Sequence, residues 1–399
     1  MAPAETFCCG SAKQIMTRHT QQNILFSLFI AILGMMINIF HTMADRMALS
    51  LGWPAGDAGM LISTYALGSL LSVVLSSTLA DWAGKRRVIL VAMGVMCVGF
   101  ALLFLSHAFV PLAMGLFLFG FGFGPSEGLG SAVLSDENPQ DASKWVNIAH
   151  AGFGVGAIAG PMLAVAAFQK SGSHHLIFLF AGIVALGMLL WIAFTAKNPR
   201  LRKAQGSLSP LKMFELLKEK RFIYLSLMMF FYLGYESVAP AYTKQLFLRE
   251  GSSEGISALM ISLFWGSMIL GRLVGANLSG RELFSIRAYA ATAVLGMVLL
   301  TFAPNLPLRV LAVALYGFGC GPTWPMLVVL ATRMFPERSG SAMGMMMLST
   351  MGGMTVFPFL IGTLPGNLTV TFLSAAALAA LVLALSALEG KNEAAQGLR

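Results

Sequence analysis

The sequence predicts an all-α membrane protein, with about twelve transmembrane helices in two six-helix bundles that repeat in the same direction. Three observations predict it. Of 399 residues, 57% are hydrophobic and only 11% charged, with a mean hydropathy of +0.77, whereas soluble domains carry roughly 25% charged residues. The apolar residues gather in runs of about 20, enough to cross a hydrocarbon core as helix. The chain also answers itself at half its length. Gly120-Phe-Gly-Phe-Gly-Pro125 is matched by Gly317-Phe-Gly-Cys-Gly-Pro322, and Gly156 and Pro161 by Gly353 and Pro358, each pair 197 positions apart. Parallel repeats of this size in an apolar chain mark a duplicated bundle.

The runs of the first half fall at 23–44, 58–79, 87–107, 110–134, 145–168 and 174–196. Those of the second fall at 222–246, 256–278, 284–302, 306–331, 340–362 and 367–388. A backbone in lipid must satisfy its own hydrogen bonds, which a helix does within one segment. The expected units are an N-terminal segment 1–22, a first bundle 23–196, a linker 197–221, a second bundle 222–388 and a tail 389–399. The linker is polar and contains Pro199 and Pro210. Its amphipathic stretch Leu211-Lys-Met-Phe-Glu-Leu-Leu217 is expected to lie along the inner membrane surface.

Charge sets the orientation. Lys13 and Arg18, Lys85, Arg86, Arg87 and Lys144, the linker cations, Arg272, Arg281, Arg287, Arg333 and Arg338, and the tail put 21 of the 26 Lys and Arg on one side. Arg46, Lys170, Lys244, Arg249 and Arg309 fall on the other. The positive-inside rule then places both termini in the cytoplasm of a multi-pass protein of the cell (inner) membrane. The same bias accounts for the net charge of +9, so no nucleic-acid partner is implied. The first run is too long for a secretory leader and lacks an Ala-x-Ala exit. Cys8, Cys9, Cys97 and Cys320 have neither metal nor disulfide spacing. His174-His175 reads as a solvated loop edge, and no metal or cofactor is expected.

Two groups of residues carry chemistry. The connection after the second span reads Gly68…Asp81-Trp-Ala-Gly84-Lys85-Arg86-Arg87. Gly84 lets the chain reverse, and a carboxylate at a helix end can pair with cations and with a neighbouring helix N-terminus. The matching region of the second half, Gly266…Gly271-Arg272…Ser279-Gly280-Arg281, keeps its arginines but has Gly280 where an acid is expected. A gate of Asp81, Gly84, Lys85, Arg86, Arg87, Arg272 and Arg281 is therefore expected to lean on the first half. The second group is intramembrane. Glu127, late in the fourth span, costs several kcal/mol when ionised in lipid and so is expected to face the bundle interior. A carboxyl gains protons on burial and releases them to water, so one that meets water from alternate sides can carry a proton. Its repeat equivalent is Trp324. Glu236 on the seventh span is the other deep acid. Asn147 and His150 share a face of the fifth, three residues apart. Asp45 stands beside Arg46 at the outer end of the first span. The Gly-x-Gly-x-Gly run follows no strand, so it serves helix approach and not a nucleotide.

The Asp81–Arg87 loop resembles the signature of the major facilitator superfamily, with Trp82 in place of the usual cation. Within that superfamily the chain is most similar to the fucose permease–like branch of sugar–proton symporters. The likeness rests on Gly122-Phe-Gly-Pro125-Ser-Glu127, on Asn147-Ile-Ala-His150-Ala-Gly-Phe153 through Gly160-Pro161, and on Tyr232-Leu-Gly-Tyr-Glu236 with Phe264-Trp265-Gly266 through Gly271-Arg272. The resemblance implies a major facilitator fold and alternating access, with a cavity lined by spans one, four, seven and ten. Glu127 falls on the family's proton-coupling glutamate, and His150 on a glutamine that serves sugar. The first-span aspartate has no match, His41 falling near it and Asp45 four residues on. The implied protein is a monomeric transporter, not an enzyme, that moves a small polar solute such as a sugar with H+. Glu127 would carry the proton, and Glu236, His150, Asn147, Trp324, Tyr235, His41 and Asp45 would line the cavity. The alternative is an exporter of hydrophobic drugs or metabolites by proton antiport.

Overall fold

The structure, a computed structural model, describes residues 5–53, 58–106, 108–195, 210–362 and 367–395. The expectations on Arg200, Arg202, Lys203 and Arg399 lie outside these residues, as do those on the side chains of Cys8, Cys9, Lys13, Arg18 and Lys391. Thirteen long helices are present among the described residues. They are α1 Glu5–Ser50, α2 Ala58–Ala83, α3 Lys85–Leu105, α4 Phe109–Glu137, α5 Ala142–Ser171 and α6 His175–Thr195. The second half has α7 Lys220–Arg249, α8 Glu254–Gly275, α9 Glu282–Phe302, α10 Leu306–Cys320, α11 Thr323–Met334, α12 Ser339–Gly362 and α13 Leu368–Ala395. Twelve spans are long and apolar enough to cross a membrane, α10 and α11 together forming one of them. With twelve crossings, α1 begins and α13 ends on the same face, hereafter the terminus-bearing face.

The buried apolar side chains form two clusters. One runs from Leu25 to Ile192 and the other from Leu216 to Val382. The halves interlock where Val73 and Ala132 join the second cluster and Val329 the first. The repeat is geometric as well as sequential. A methyl group at Gly122 would come within 2.5 Å of the Met96 Cβ, and one at Gly319 within 2.7 Å of the Ala293 Cα. Both glycines and both partners are 197 residues apart, so a bare Cα does the same packing work in each half.

The tenth span departs from the expected continuous helix over 306–331. α10 ends at Cys320 and α11 starts at Thr323. In the first half, Gly124-Pro125 occupies the same repeat position, yet α4 passes through it. The difference is Pro325, which stands where the first half has Gly128. Two prolines three residues apart remove two N–H donors from one turn, and one removes a single donor.

The linker makes contacts that its sequence did not announce. Residues Pro210–Lys218 form a 3-10 helix that docks on the protein by part of its apolar face. Met213 and Leu216 are buried, and the Ser77 hydroxyl of α2 donates to the Met213 sulfur at 3.2 Å. Arg338 donates to the Lys212 carbonyl at 2.6 Å and lies 3.6 Å from the Glu215 carboxylate. Met213 and Leu216 enter a groove between α2 and α12, while Leu211 and Phe214 stay exposed.

Candidate functional site

Hydrogen bonds join the two halves on their terminus-bearing side. Asp81, at the end of α2, accepts from the Gly340 N–H at 2.7 Å, the Ser341 N–H at 2.9 Å and the Ser341 hydroxyl at 2.6 Å. These are the free N–H groups of the first turn of α12, so the carboxylate meets both unmade bonds and the positive end of a helix dipole. Gly340 is required here, since a methyl group would sit 2.6 Å from the Asp81 Oδ1. Gly84, at φ +92°, turns the chain so that Lys85 pairs with Asp136 at 2.8 Å. The Ser339 hydroxyl crosses from the other half to the same Asp136, at 2.9 Å.

The second half contributes as much to this seam, against the expectation that the first would dominate. Glu282 pairs with Arg333 at 2.7 Å and accepts from the Ser143 hydroxyl of the first half at 2.7 Å and the Gly280 N–H at 3.0 Å. Arg333 also donates to the Pro139 carbonyl at 3.0 Å. Glu282 lies 197 positions after Lys85, and Arg333 197 after Asp136, so the duplicated pair keeps its place and reverses its charges. Ser135 and Thr332, again 197 apart, share a hydrogen bond of 2.7 Å between the halves. The offset takes Asp81 to Leu278, so the second half has no counterpart of that acid; Glu282, two residues past Gly280, answers Lys85, and the offset applied to the Lys85–Asp136 pair was the signal that could have found it.

Not every gate residue sits in that layer. Arg86 donates to the Ala193 carbonyl at 2.5 Å and so caps α6. Arg87 and Arg281 are exposed. Arg272 is 5% exposed and lies deeper, where it donates to the His150 carbonyl at 2.7 Å and the Gly321 carbonyl at 3.1 Å. This corrects its placement at the surface. His150 is eight residues into α5, about 12 Å above its start at 1.5 Å per residue.

Around Arg272 the central groups collect. Glu127 of α4 and Glu236 of α7 are half-buried and both lie within Coulombic reach of its guanidinium and of each other. The Tyr232 hydroxyl beside Glu236 donates to the Cys320 carbonyl at 2.8 Å. His150 is hydrogen-bonded to the Ser131 hydroxyl at 3.0 Å, and its ring centroid is 4.1 Å from that of Trp324 across the seam. The Trp324 indole donates to the Thr350 hydroxyl at 3.2 Å. Tyr65 stands near Glu127 and packs on Phe40, Phe119 and Phe123. His41, exposed, leans on Phe40 with centroids 5.3 Å apart.

Three expected lining residues are elsewhere. Asn147 is fully buried and donates to the Ser143 carbonyl of its own helix, in the packing between α5 and α8 near Gly275. Tyr235 is buried in the second-half core, at right angles to Tyr232, and its carbonyl accepts from Tyr316. Asp45 is exposed one turn beyond His41, while Arg46 stacks over Phe168 at 4.8 Å. Tyr232, beside Glu236, and Tyr65, near Glu127, are the tyrosines that meet the central acids. A separate hollow of 590 Å³ at the opposite face, lined by Arg249, Glu250 and Asn367, belongs to the second half alone. Among the described residues no group of three or more His, Cys, Asp or Glu is placed to hold a metal.

Two bundles related by a sequence repeat, closed at one face and enclosing a charged centre, define a transporter architecture. The chain belongs to the Major Facilitator Superfamily, whose family model matches residues 24–358. It is 23% identical over 322 residues to the glucose/mannose transporter GlcP of Bacillus subtilis, covering 77% of this chain and 78% of that one. It is 26% identical over 170 residues to the quinolone resistance protein NorA of Staphylococcus aureus, covering 42% of each chain. The E. coli fucose:proton symporter FucP superposes with a TM-score of 0.80 at 16% identity, over 93% of this chain and 99% of that one. The human organic anion transporter MFSD10 does so with 0.78 at 19%, over 92% and 99%. The protein is a multi-pass membrane transporter and not an enzyme.

Proposed function

We propose that this chain is a proton-coupled symporter of a small polar solute such as a sugar, working by alternating access, with Glu127 as the protonatable group. It acts as a monomer in the cell (inner) membrane, with the terminus-bearing face in the cytoplasm as the positive-inside rule requires. The observation that carries the reading is the central cluster. Two carboxylates, from opposite halves, lie within Coulombic reach of one buried arginine, beside the rings of His150 and Trp324. One cation balances one carboxylate. The other must bind a proton before the site can be sealed from water, because an uncompensated buried charge opposes closure. The faces of Trp324 and Tyr65 and the polar edges of His41, His150 and Glu236 suit a solute with apolar faces and hydroxyl edges. The sugar-transporting relatives GlcP and FucP agree with this choice.

In proteoliposomes, acidifying the opposite side is expected to drive accumulation of a sugar drawn from a panel that includes glucose, mannose and fucose. Glu127→Gln is expected to abolish proton-driven accumulation while leaving part of the exchange. Unchanged pH-driven uptake in that variant contradicts the assignment. A second reading, export of hydrophobic cations by proton antiport, is favoured by the partial likeness to NorA and by acids set among aromatic rings, which suit a cation. A thermal-shift screen of sugars, organic acids and cationic drugs separates the two.

A further inference from the structure

The docked linker segment has three rows of side chains. A 3-10 helix turns once every three residues, so residues three apart stack along it. Within Pro210–Lys218, Met213 and Leu216 form a buried row that enters the groove between α2 and α12. Leu211, Phe214 and Leu217 form a second apolar row, whose first two members are 66% and 41% exposed. Lys212, Glu215 and Lys218 form the third. Both halves grip the segment. The Ser77 hydroxyl holds Met213 from α2, and Arg338 holds the Lys212 carbonyl and Glu215 from the second half. The segment is a strap across the outside of the seam. Its neighbours say what covers the second row. The last turns of α2 expose Leu75, Leu79 and Trp82 in one stripe, and the first turns of α7 expose Ile223 and Leu227. Stripes of this kind on membrane spans face lipid, and the outer row of the strap continues them. Trp82, and Lys220 lying 5.8 Å over the Tyr224 ring, mark headgroup depth on either side of it. With Glu215 answered by Arg338, Lys212, Lys218 and Lys220 outnumber Glu219 at this depth. An apolar row beside a surplus of ammonium groups fits the acyl chains and phosphates of an anionic phospholipid.

We propose that anionic phospholipid at the terminus-bearing face binds the outer row and the lysines of this strap, and so holds the inner row in its groove and that face shut; this rests on alternating access and not on the assignment of Glu127. α2 moves with the first half, and Arg338 with the second. When the halves part, the groove between α2 and α12 loses a wall, and Met213 and Leu216 lose their cover. The strap therefore opposes parting for as long as it stays docked. Lipid that confines it to the headgroup layer keeps its inner row at high local concentration beside the groove. In a neutral bilayer the phosphates offer the lysines no net attraction, and the strap leaves the groove more readily.

Hydrogen–deuterium exchange of the whole protein in nanodiscs tests this, with phosphatidylcholine alone compared against phosphatidylcholine mixed with phosphatidylglycerol. Backbone exchange across Met213–Leu217 is expected to slow by about tenfold in the mixture, as a surplus of positive charge near an anionic surface allows. The triple variant Lys212→Gln, Lys218→Gln and Lys220→Gln is expected to exchange at the neutral-lipid rate in both. Leu211→Ser with Phe214→Ser keeps the charges, removes the outer row and is expected to lose most of the protection. Inorganic phosphate added to the neutral discs is expected to change nothing. Equal exchange in the two lipids, faster exchange in the anionic one, or protection by phosphate alone overturns the proposal. Spin labels at Asp141→Cys and Asn277→Cys, exposed on the terminus-bearing face of opposite halves, report its parting by electron–electron distance measurement in a background free of other cysteines. Phosphatidylglycerol is expected to move the distribution toward the short distance, and the lysine variant to lose that shift. Slower exchange with no change in distance overturns the bracing role. Asp81→Asn weakens the same seam without touching the lysines and is expected to lengthen the distance in either lipid; a fixed distance in that variant contradicts alternating access itself.

Discussion

At the scale of the residue, position on a helix end decides what a carboxylate does. Asp81 is held by two backbone N–H groups and a hydroxyl, each such bond to a charged group contributing about 1.5–3 kcal/mol. Asp81→Asn keeps the shape and removes the charge. Amide hydrogen exchange at Gly340 and Ser341 is expected to quicken tenfold or more in that variant; unchanged protection contradicts the role given to the carboxylate. The reversed pairs allow a sharper test. Lys85→Asp alone leaves Asp136 facing a second acid and is expected to lower the thermal stability of the detergent-solubilised protein. Combined with Asp136→Lys it reproduces the polarity of Glu282–Arg333, and most of the loss is expected to return. A double variant no better than the single one contradicts the view that the layer needs opposite charge at these sites and not a particular order.

At the scale of the element, helices were readable and their exceptions were not. The twelve apolar runs all correspond to spans, because length and hydropathy are properties of a stretch of chain. The split at Gly321 was missed, since Gly124-Pro125 and Gly321-Pro322 look alike until Pro325 is counted with them. The linker stretch was legible as amphipathic, and its docking on α2 and α12 was not. Amphipathicity fixes that a face is covered and leaves open whether lipid or protein covers it. Met213, fully buried beside Ser77, makes the docking testable. Met213→Asp buries a charge without a partner and is expected to release the segment. Limited proteolysis of the linker is then expected to run several-fold faster than in the unsubstituted protein. Equal rates contradict a docked segment.

At the scale of the molecule, the repeat supplies the frame and its failures supply the site. Ser135 with Thr332, and Lys85–Asp136 with Glu282–Arg333, obey the offset of 197 and form the seam. Glu127 against Trp324, and Arg272 against Leu75, break it and form the centre. The deep acids were legible because lipid makes an ionised side chain costly wherever it has no task. Arg272 was misplaced because, near a span end, a cation that snorkels outward and one that turns inward read the same in sequence. Asn147 and Tyr235 were polar residues on inward helices whose neighbours, and not their spacing, decided that they pack. The central claim is that water reaches position 127 from one side at a time. A membrane-impermeant thiol reagent applied to Glu127→Cys, in a background without other cysteines, measures this directly. The account predicts modification from the face opposite the termini and protection from the terminus-bearing face, with the preference reversed when Asp81→Asn weakens the seam. Reaction from neither face in both backgrounds, or equally from both, contradicts it.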